Sequence, residues 1–337
     1  MRKPKYLSPS ALQQWQSNQE QYYLKYLAND RPPRFPQTEP MSVGSAFDAF
    51  VKSAIADSVF GVNEKPEFVL RTVFEKQVEE HNRDFAWTAG EICFESYKRS
   101  GAYASLMANV TKSSTEPRME FTAGGGDTDQ YGNPLGAVKE GEVILLGKPD
   151  LEFTLGDVKV LFDWKVNGYC SKAGISPAPG YRMCRDGWDP TVEGHSRTHG
   201  KPHGKFVPYR VGDFEVSMTD YVETVKPDWG LQLATYHWLT GTPVGEQCVV
   251  QVDQLACRPG QKIRVAEHRS EISKKFQQDS YTHYQDLWEI IESGYIFRHM
   301  SKEESNDRCI VLDQQGAAFA GGTLKDEWYS KMMGRKA

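Results

Sequence analysis

The sequence predicts an α/β fold in which a mixed central β-sheet is flanked by helices. Amphipathic helical patterns occupy most of residues 1–115, and a strand-rich block follows between 118 and 165. Further along, the pattern continues as helix, strand, strand and helix. A chain of 337 residues, 39% of them hydrophobic and 12% aromatic, is long enough to bury the core that such a fold requires.

The N-terminal helical part is predicted to span residues 1–115. Ser8 is a candidate N-cap because Pro9 suits the first helical position, and apolar residues then recur at helical spacing to about residue 27. A second helix is predicted from 42 to about 58. Residues 66–109 show an amphipathic helical pattern, which we expect to break near Gly90.

The core is predicted to span residues 116–300. Short apolar or alternating runs at 142–146, 151–155 and 158–162 indicate strands, and Gly156-Asp157 indicates a hairpin turn between the last two.

The rest of the core is predicted as a helix at about 228–240, strands at 246–256 and 261–268, and a helix that ends near Gly294. The polar residues 301–337 are expected to form a loosely held tail.

Two carboxylates and a lysine stand out in the predicted hairpin. Antiparallel pairing of its strands would place Asp150 beside Asp163, although 13 positions separate them. Two neighbouring carboxylates repel each other unless a cation lies between them, and hard oxygen ligands suit Mg²⁺ or Mn²⁺. Lys165 projects to the same side of the strand as Asp163. The pattern therefore indicates a site for metal-assisted phosphodiester hydrolysis. An ordinary hairpin with surface charges is the alternative interpretation.

Five short motifs occur in order along the chain, and together they carry a resemblance. They are Ser8-Pro9-Ser10-Ala11-Leu12, Gly44-Ser45-Ala46-Phe47-Asp48, Gly147-Lys148-Pro149-Asp150, Asp163-Trp164-Lys165 and Gln232-Leu233-Ala234-Thr235-Tyr236. The set resembles the RecB-type exonuclease domain of the PD-(D/E)XK nuclease superfamily. The resemblance implies a restriction-endonuclease-like core and a Mg²⁺-dependent DNA exonuclease acting in recombination, repair or phage DNA metabolism. An endonuclease or junction resolvase on the same core, and a catalytically silent DNA-binding relative, are the alternatives.

The resemblance also implies roles for the motif residues. Asp150, Asp163 and the main-chain carbonyl of Trp164 would hold Mg²⁺ or Mn²⁺, and Lys165 would orient the attacking water.

The helical pair Gln232 and Tyr236 would hydrogen-bond the lysine, the water or a phosphate. Asp48 stands where the family has a histidine, so we expect it to be a further metal ligand; a solvent-facing helix residue is the alternative.

The segment 167–212 is expected to be a basic insertion that contacts DNA phosphates. Between residues 165 and 210 the chain has eight Lys or Arg and three Asp or Glu, with interleaved aromatic residues. The candidate DNA-binding residues are Arg182, Arg185, Arg197, Lys201 and Lys205.

A structural zinc site is a weaker alternative for the same segment, and its candidate ligands are His195, His199, His203, Cys170 and Cys184. An iron–sulfur cluster of the kind found in some relatives is not expected, since Cys309 is the only cysteine near the C-terminus.

Composition restricts the remaining functional classes. A formal charge of −5 excludes a globally basic nucleic-acid coat protein. No apolar run approaches the length of a membrane span, no signal peptide is evident, and the six cysteines are scattered, which together predict a cytoplasmic, intracellular protein. The expected partner is DNA. The sequence contains no helicase P-loop, so any helicase or recombination protein would be a separate chain.

Overall fold

The computed structural model describes residues 1–124, 143–171, 176–178, 210–216 and 221–322, the backbone of 182, 183 and 209, and residues 324, 326 and 327. The architecture of these residues is α/β, with helices on both faces of a mixed central sheet, as the sequence predicts. None of the described helices is both long and apolar enough to cross a membrane.

Ten α-helices are described. They are α1 (Pro9–Ser17), α2 (Gln19–Tyr22), α3 (Glu39–Phe60), α4 (Leu70–Gln77), α5 (Arg83–Arg99), α6 (Ala102–Val110), α7 (Val222–Val225), α8 (Pro227–Leu239), α9 (Lys274–Ser293) and α10 (Lys302–Ala320). A π-helical turn continues α2, and short 3₁₀ turns precede α4 and α5; these turns span Tyr23–Leu27, Pro66–Phe68 and Glu80–Asn82.

Ten strands are described. They are β1 (Arg118–Met119), β2 (Ala123–Gly124), β3 (Leu146–Gly147), β4 (Leu151–Leu155), β5 (Val158–Asn167), β6 (Arg182–Met183), β7 (Tyr209–Val211), β8 (Phe214–Val216), β9 (Cys248–Ala256) and β10 (Arg264–Ile272).

The central sheet has the strand order β1-β4-β5-β9-β10-β6, and β2–β3 and β7–β8 form separate two-stranded ribbons. Only the β5–β9 pairing of the described central sheet is parallel. Parallel neighbours need a crossover connection, and α8 lies on the connection between these two strands.

The predicted β4–β5 hairpin is confirmed. Leu151 pairs with Phe162 and Leu155 pairs with Val158, while Gly156 has the positive φ of +59° that the turn requires. The strand predicted over 142–146 is only partly formed in the described residues of that range, since β3 begins at Leu146. In that region β3 pairs with β2, and Leu145 forms an isolated parallel bridge with Leu7. Its apolar residues are explained by burial of Leu145 under the N-terminal segment.

The two faces of β5 pack into different hydrophobic cores. Leu161 packs into the core formed with α1, α8 and α9, whereas Phe162 and Trp164 pack into the core formed with α3 and α5. Because side chains alternate along a strand, Asp163 and Lys165 share the α8 face with Leu161. The strand therefore presents these two charged residues to one helix while its other face stays apolar.

The N-terminal helices differ from the prediction at Gly90. The chain does not break there: α5 passes through this residue, and the breaks lie instead at 78–82 and 100–101. A Cβ atom at Gly90 would lie 2.6 Å from the Cβ of Ala46. The glycine is therefore a point of close approach between α3 and α5 rather than a helix end.

The C-terminal region also differs from the prediction. Much of the expected loose tail, 301–337, is the helix α10, which begins with a capping box between Ser301 and Glu304. Leu312 is fully buried, and the backbone of Asp30 approaches Gly316 closely. The helix α10 is polar apart from a narrow apolar stripe. The stripe is enough to pack the helix against the rest of the protein, but too narrow to reveal the helix in the composition of 301–337.

We predict that Gly90→Ala destabilises the protein by about 1–3 kcal/mol, because the added methyl group overpacks the α3–α5 contact. Gly44→Ala is the matched control, since a Cβ atom built there meets nothing within 4 Å apart from the adjacent residues and its own helix backbone. The control should be neutral, or more stable by about 0.5–1 kcal/mol through helix propensity. Urea unfolding of both variants measures the difference in the free energy of unfolding. Equal changes in the two variants would contradict the close approach of α3 and α5 at Gly90.

The second stability prediction concerns His237 on α8. This side chain is 1% exposed, and its Nε2 lies 2.9 Å from the carbonyl oxygen of Val249. Burial lowers its pKa from 6.5 to about 4, so the native state keeps the ring neutral where the unfolded chain already binds a proton. Stability should therefore fall as the pH drops from about 6.5 to about 4, by up to about 1.4 kcal/mol per pH unit.

His237→Gln is the variant that isolates this contribution, because its amide can still donate to the Val249 carbonyl. Urea unfolding at a series of pH values should show the wild type losing stability, relative to the variant, as the pH falls. Parallel curves for the two proteins would show that His237 does not titrate on unfolding.

Candidate active site

Asp150 and Asp163 lie side by side, as the hairpin register predicts. Asp150 directly precedes β4, and the first β4 residue, Leu151, pairs with Phe162 of β5. Asp163 is 2% exposed, whereas the Asp150 side chain is 24% exposed. One carboxyl is therefore buried in the sheet and its neighbour opens toward solvent.

Lys165, Gln232 and Tyr236 complete the side of the site that faces α8. The ammonium group of Lys165 forms an ion pair with Asp163 and donates to Gln232 Oε1 at 3.1 Å. Gln232 Nε2 donates to Asp163 Oδ1 at 3.2 Å and to the Tyr236 hydroxyl at 3.0 Å. A lysine can only donate, so its contact fixes which end of the Gln232 amide is oxygen.

Gly147 sets the distance between α8 and the segment that leads to Asp150. A Cβ atom at this glycine would lie 2.6 Å from the Tyr236 ring and 2.9 Å from Leu239. Any side chain here would push Tyr236 away from its contacts. Close packing against α8 therefore explains why the Gly-Lys-Pro-Asp motif has a glycine at position 147.

The other side of the site faces α3 and centres on Lys52. Its Nζ lies 2.7 Å from Asp48 Oδ2, 3.1 Å from Asp150 Oδ1 and 3.3 Å from Glu120 Oε2. Gln77 Nε2 donates to Asp48 at 2.9 Å and to Glu120 at 3.2 Å. Asp150 thus contacts Lys52 on one side and lies next to Asp163 on the other, so it joins the two groups.

Glu120 reaches the site from an unusual backbone conformation. Its φ is +43°, a left-handed backbone angle that residues other than glycine rarely adopt. Its N–H donates to the Asp150 carbonyl at 3.0 Å. This bond joins the residue that follows β1 to the residue that precedes β4. The surrounding structure therefore holds a strained residue where its carboxylate meets Lys52.

Burial and mutual repulsion separate the pKa values of the carboxyls. Burial raises the pKa of Asp163 to about 7, with Lys165 opposing the rise and Asp150 adding to it. Burial also raises the pKa of Asp48 to about 6, against the lowering effect of Lys52. Burial acts to raise the pKa of Asp150 as well, but Lys52 and Lys165 together lower it. Asp150 therefore stays ionised, whereas Asp48 and Asp163 retain their protons to a higher pH.

Both lysines remain cationic. Burial by itself would lower the pKa of Lys52, but the carboxylates of Asp150, Asp48 and Glu120 raise it above its ordinary value. The same competition, dominated by Asp163 and Asp150, raises the pKa of Lys165. The site therefore holds two fixed positive charges within a group of acidic side chains.

A cavity of about 340 Å³ opens beside these residues. Its wall includes Asp48, Lys52 and Asp150, together with the exposed Lys148 and the side of Trp164. The cavity leads solvent directly to Asp150, so a ligand could reach the acidic group without rearrangement of the sheet.

Trp164 contributes its side chain to the α3 face. Its ring packs against Phe162 and its Nε1 donates to the Tyr97 hydroxyl at 3.4 Å. That hydroxyl donates to Asp253, whose pKa burial raises to about 7, with Glu267 adding to the rise. This buried network fixes the strand that carries Asp163 and Lys165. Metal ligation by the Trp164 carbonyl stays a prediction.

The predicted site residues are thus brought together by three elements. Asp48 comes from α3, Gln232 and Tyr236 come from α8, and the hairpin supplies the rest. Asp48 is not the solvent-facing residue of the alternative interpretation, since its carboxylate contacts Lys52 and Gln77.

The predicted DNA-binding residues are mostly outside the described part of the chain. Only the backbone of Arg182 is described, where β6 pairs with β10. Arg185, Arg197, Lys201 and Lys205 lie outside the described residues, as do the zinc candidates His195, His199, His203 and Cys184.

Lys52, Gln77 and Glu120 were missed from the sequence. Lys52 had a usable signal, because it follows Asp48 by four residues and a helix places such pairs on one face. Gln77 is the last residue of α4 and Glu120 follows a two-residue strand, so neither lies in a pattern that predicts its position.

Comparison with known proteins adds no assignment. The chain matches no protein-family model, no curated protein and no solved structure at a significant level.

Proposed function

We propose that the protein is a Mg²⁺-dependent DNA nuclease of the RecB-like exonuclease type, on a PD-(D/E)XK core. The observation that carries the proposal is that Asp163 and Lys165 both contact Gln232, which also contacts Tyr236, while Asp150 lies beside Asp163. A carboxylate pair can hold a metal ion for hydrolysis of a phosphodiester, and a lysine beside it can offset the charge that develops in the transition state.

The donor chemistry of the site fits a divalent cation. Asp150 and Asp163 offer hard carboxylate oxygens, and the raised pKa of Asp163 reflects a buried carboxyl that lacks enough positive charge around it. Within the described residues no three carboxyl, histidine or cysteine side chains already form a complete ligand set, and two ammonium groups lie among the carboxylates instead. We infer that Asp150, Asp163 and the Trp164 carbonyl would hold Mg²⁺ or Mn²⁺.

The bound ion would supply Lewis-acid activation of the phosphodiester and of the attacking water. The chain's own contribution comes from Lys165, which can donate to that water or to a phosphate oxygen and offset charge that develops in the transition state. Gln232 holds the Lys165 ammonium group in place through its side-chain oxygen. Tyr236 in turn fixes the Gln232 amide, so the lysine is positioned before substrate binds.

Rival functions differ in what they require. A catalytically silent DNA-binding relative has no use for a buried carboxyl, that of Asp163, which costs desolvation energy, nor for a lysine held against it. An endonuclease or a junction resolvase would use the same chemistry on internal bonds, so the choice between them and an exonuclease depends on the DNA substrate.

Digestion of end-labelled linear DNA and of covalently closed circular DNA, each with Mg²⁺, tests the proposal. An exonuclease releases the label from linear DNA and leaves the circles intact. Cleavage of the circles would support the endonuclease alternative, and inactivity on both substrates, with several divalent ions supplied, would favour the silent relative.

The first catalytic prediction concerns Asp163. Asp163→Asn removes a ligand charge but keeps the shape of the side chain, so we expect cleavage to be lost while the fold survives. Activity with Mg²⁺ or Mn²⁺, inhibition by chelator and the circular dichroism spectrum of the variant provide the measurements. Full activity of the wild type in excess chelator would exclude a metal-dependent reaction.

The second catalytic prediction concerns Lys165. Lys165→Ala should lower the cleavage rate by roughly two to four decades, the range seen when one electrostatic stabiliser of a transition state is deleted. DNA affinity should change little, because the carboxylates and the remaining basic groups are intact. Single-turnover kinetics and equilibrium binding separate the two effects. A variant that keeps more than about a tenth of the rate would show that Lys165 is not catalytic.

A further inference from the structure

Lys52 has the surroundings of a bound cation rather than those of an ordinary helix lysine. Its ammonium group lies within 3.3 Å of oxygens from three carboxylates, those of Asp48, Glu120 and Asp150. An ammonium group has three N–H donors, so its three ion pairs use its full capacity. The side chain is 3% exposed, which removes water as a competing partner.

A local helix pair does not explain this arrangement. Lys275 and Asp279 on α9 also form an ion pair, at 2.6 Å and four residues apart, yet Lys275 is 84% exposed and contacts one carboxylate. Lys52 instead connects α3 to the residues next to β1 and β4. Its charge therefore holds together parts of the chain that converge only in the folded protein.

The charge balance indicates how much further positive charge the site can accept. Four carboxylates, from Asp48, Glu120, Asp150 and Asp163, face two ammonium groups, from Lys52 and Lys165. With all six groups ionised the formal charge is −2, which one divalent cation neutralises. A second divalent cation would leave an excess of positive charge before any phosphate is bound.

We infer that Lys52 is a built-in cation that takes the place of a second metal ion, so the site binds a single divalent cation against Asp150 and Asp163. The inference rests on the proposed function and deepens it. Asp48 and Glu120 are then partners of Lys52 and not metal ligands, in contrast to the ligand role that the family resemblance implies for Asp48.

Titration with Mn²⁺, monitored by the electron paramagnetic resonance signal of the free ion, counts the bound ions without any need for activity. Wild type should bind one Mn²⁺ per chain. Lys52→Met should gain a second bound ion, because three carboxylates lose their shared positive charge. Lys275→Met, which breaks the exposed pair on α9, should still bind one.

Asp48→Asn provides a test that does not require removal of Lys52. If Asp48 serves Lys52 alone, the affinity for the first Mn²⁺ should change by less than about threefold. A loss of tenfold or more would make Asp48 a ligand and overturn the inference. Circular dichroism and thermal unfolding of each variant confirm that the counted protein is folded; if Lys52→Met fails to fold, the wild-type count and the Asp48→Asn affinity decide.

The outcomes also separate this inference from the proposed function. No bound Mn²⁺ in the wild type would contradict the metal-dependent nuclease and the inference together. Two ions in the wild type, or one in a folded Lys52→Met variant, would overturn the role of Lys52 and leave the nuclease proposal standing.

Discussion

The site depends on one electrostatic requirement: carboxylates that are buried together must share positive charge. Asp150 meets the requirement by contact with Lys52 on one side, and Asp163 meets it by contact with Lys165 on the other. Without these charges, folding would leave the buried Asp163 and the partly exposed Asp150 as neighbouring carboxylates with no ammonium group to offset their repulsion. Burial still raises the pKa values of Asp48 and Asp163 despite the neighbouring lysines, which is consistent with the cation that we propose for the site.

The scaffold meets this requirement by bringing the two lysines from different layers of the fold. Lys165 projects from β5 toward α8, where Gln232 holds it, whereas Lys52 comes from α3 on the opposite side of the sheet. Gly90 lets α3 and α5 approach closely, and Gly147 lets the segment before Asp150 approach Tyr236. Small residues therefore set the distances between layers, and the charged groups meet where those layers converge.

The sequence was informative where function and local periodicity coincide. The β4–β5 register places Asp150 beside Asp163, and helical spacing places Gln232 and Tyr236 on one face, so both could be predicted from the sequence. Contacts that depend on tertiary packing could not be predicted. Glu120 reaches the site through a left-handed backbone, and α10 buries a stripe too narrow to offset its polar composition. The resemblance to a nuclease family supplied roles that no local pattern contains.

The most direct test of the central claim, that Asp150 and Asp163 together form a cation site, is anomalous X-ray scattering from crystals soaked in Mn²⁺. The account predicts one Mn²⁺ peak in contact with both carboxylates, and predicts that Lys52 keeps its contacts with Asp48 and Glu120. Absence of a peak between Asp150 and Asp163 at saturating Mn²⁺ would contradict the account, because the carboxyls would then be balanced by protons and lysines alone.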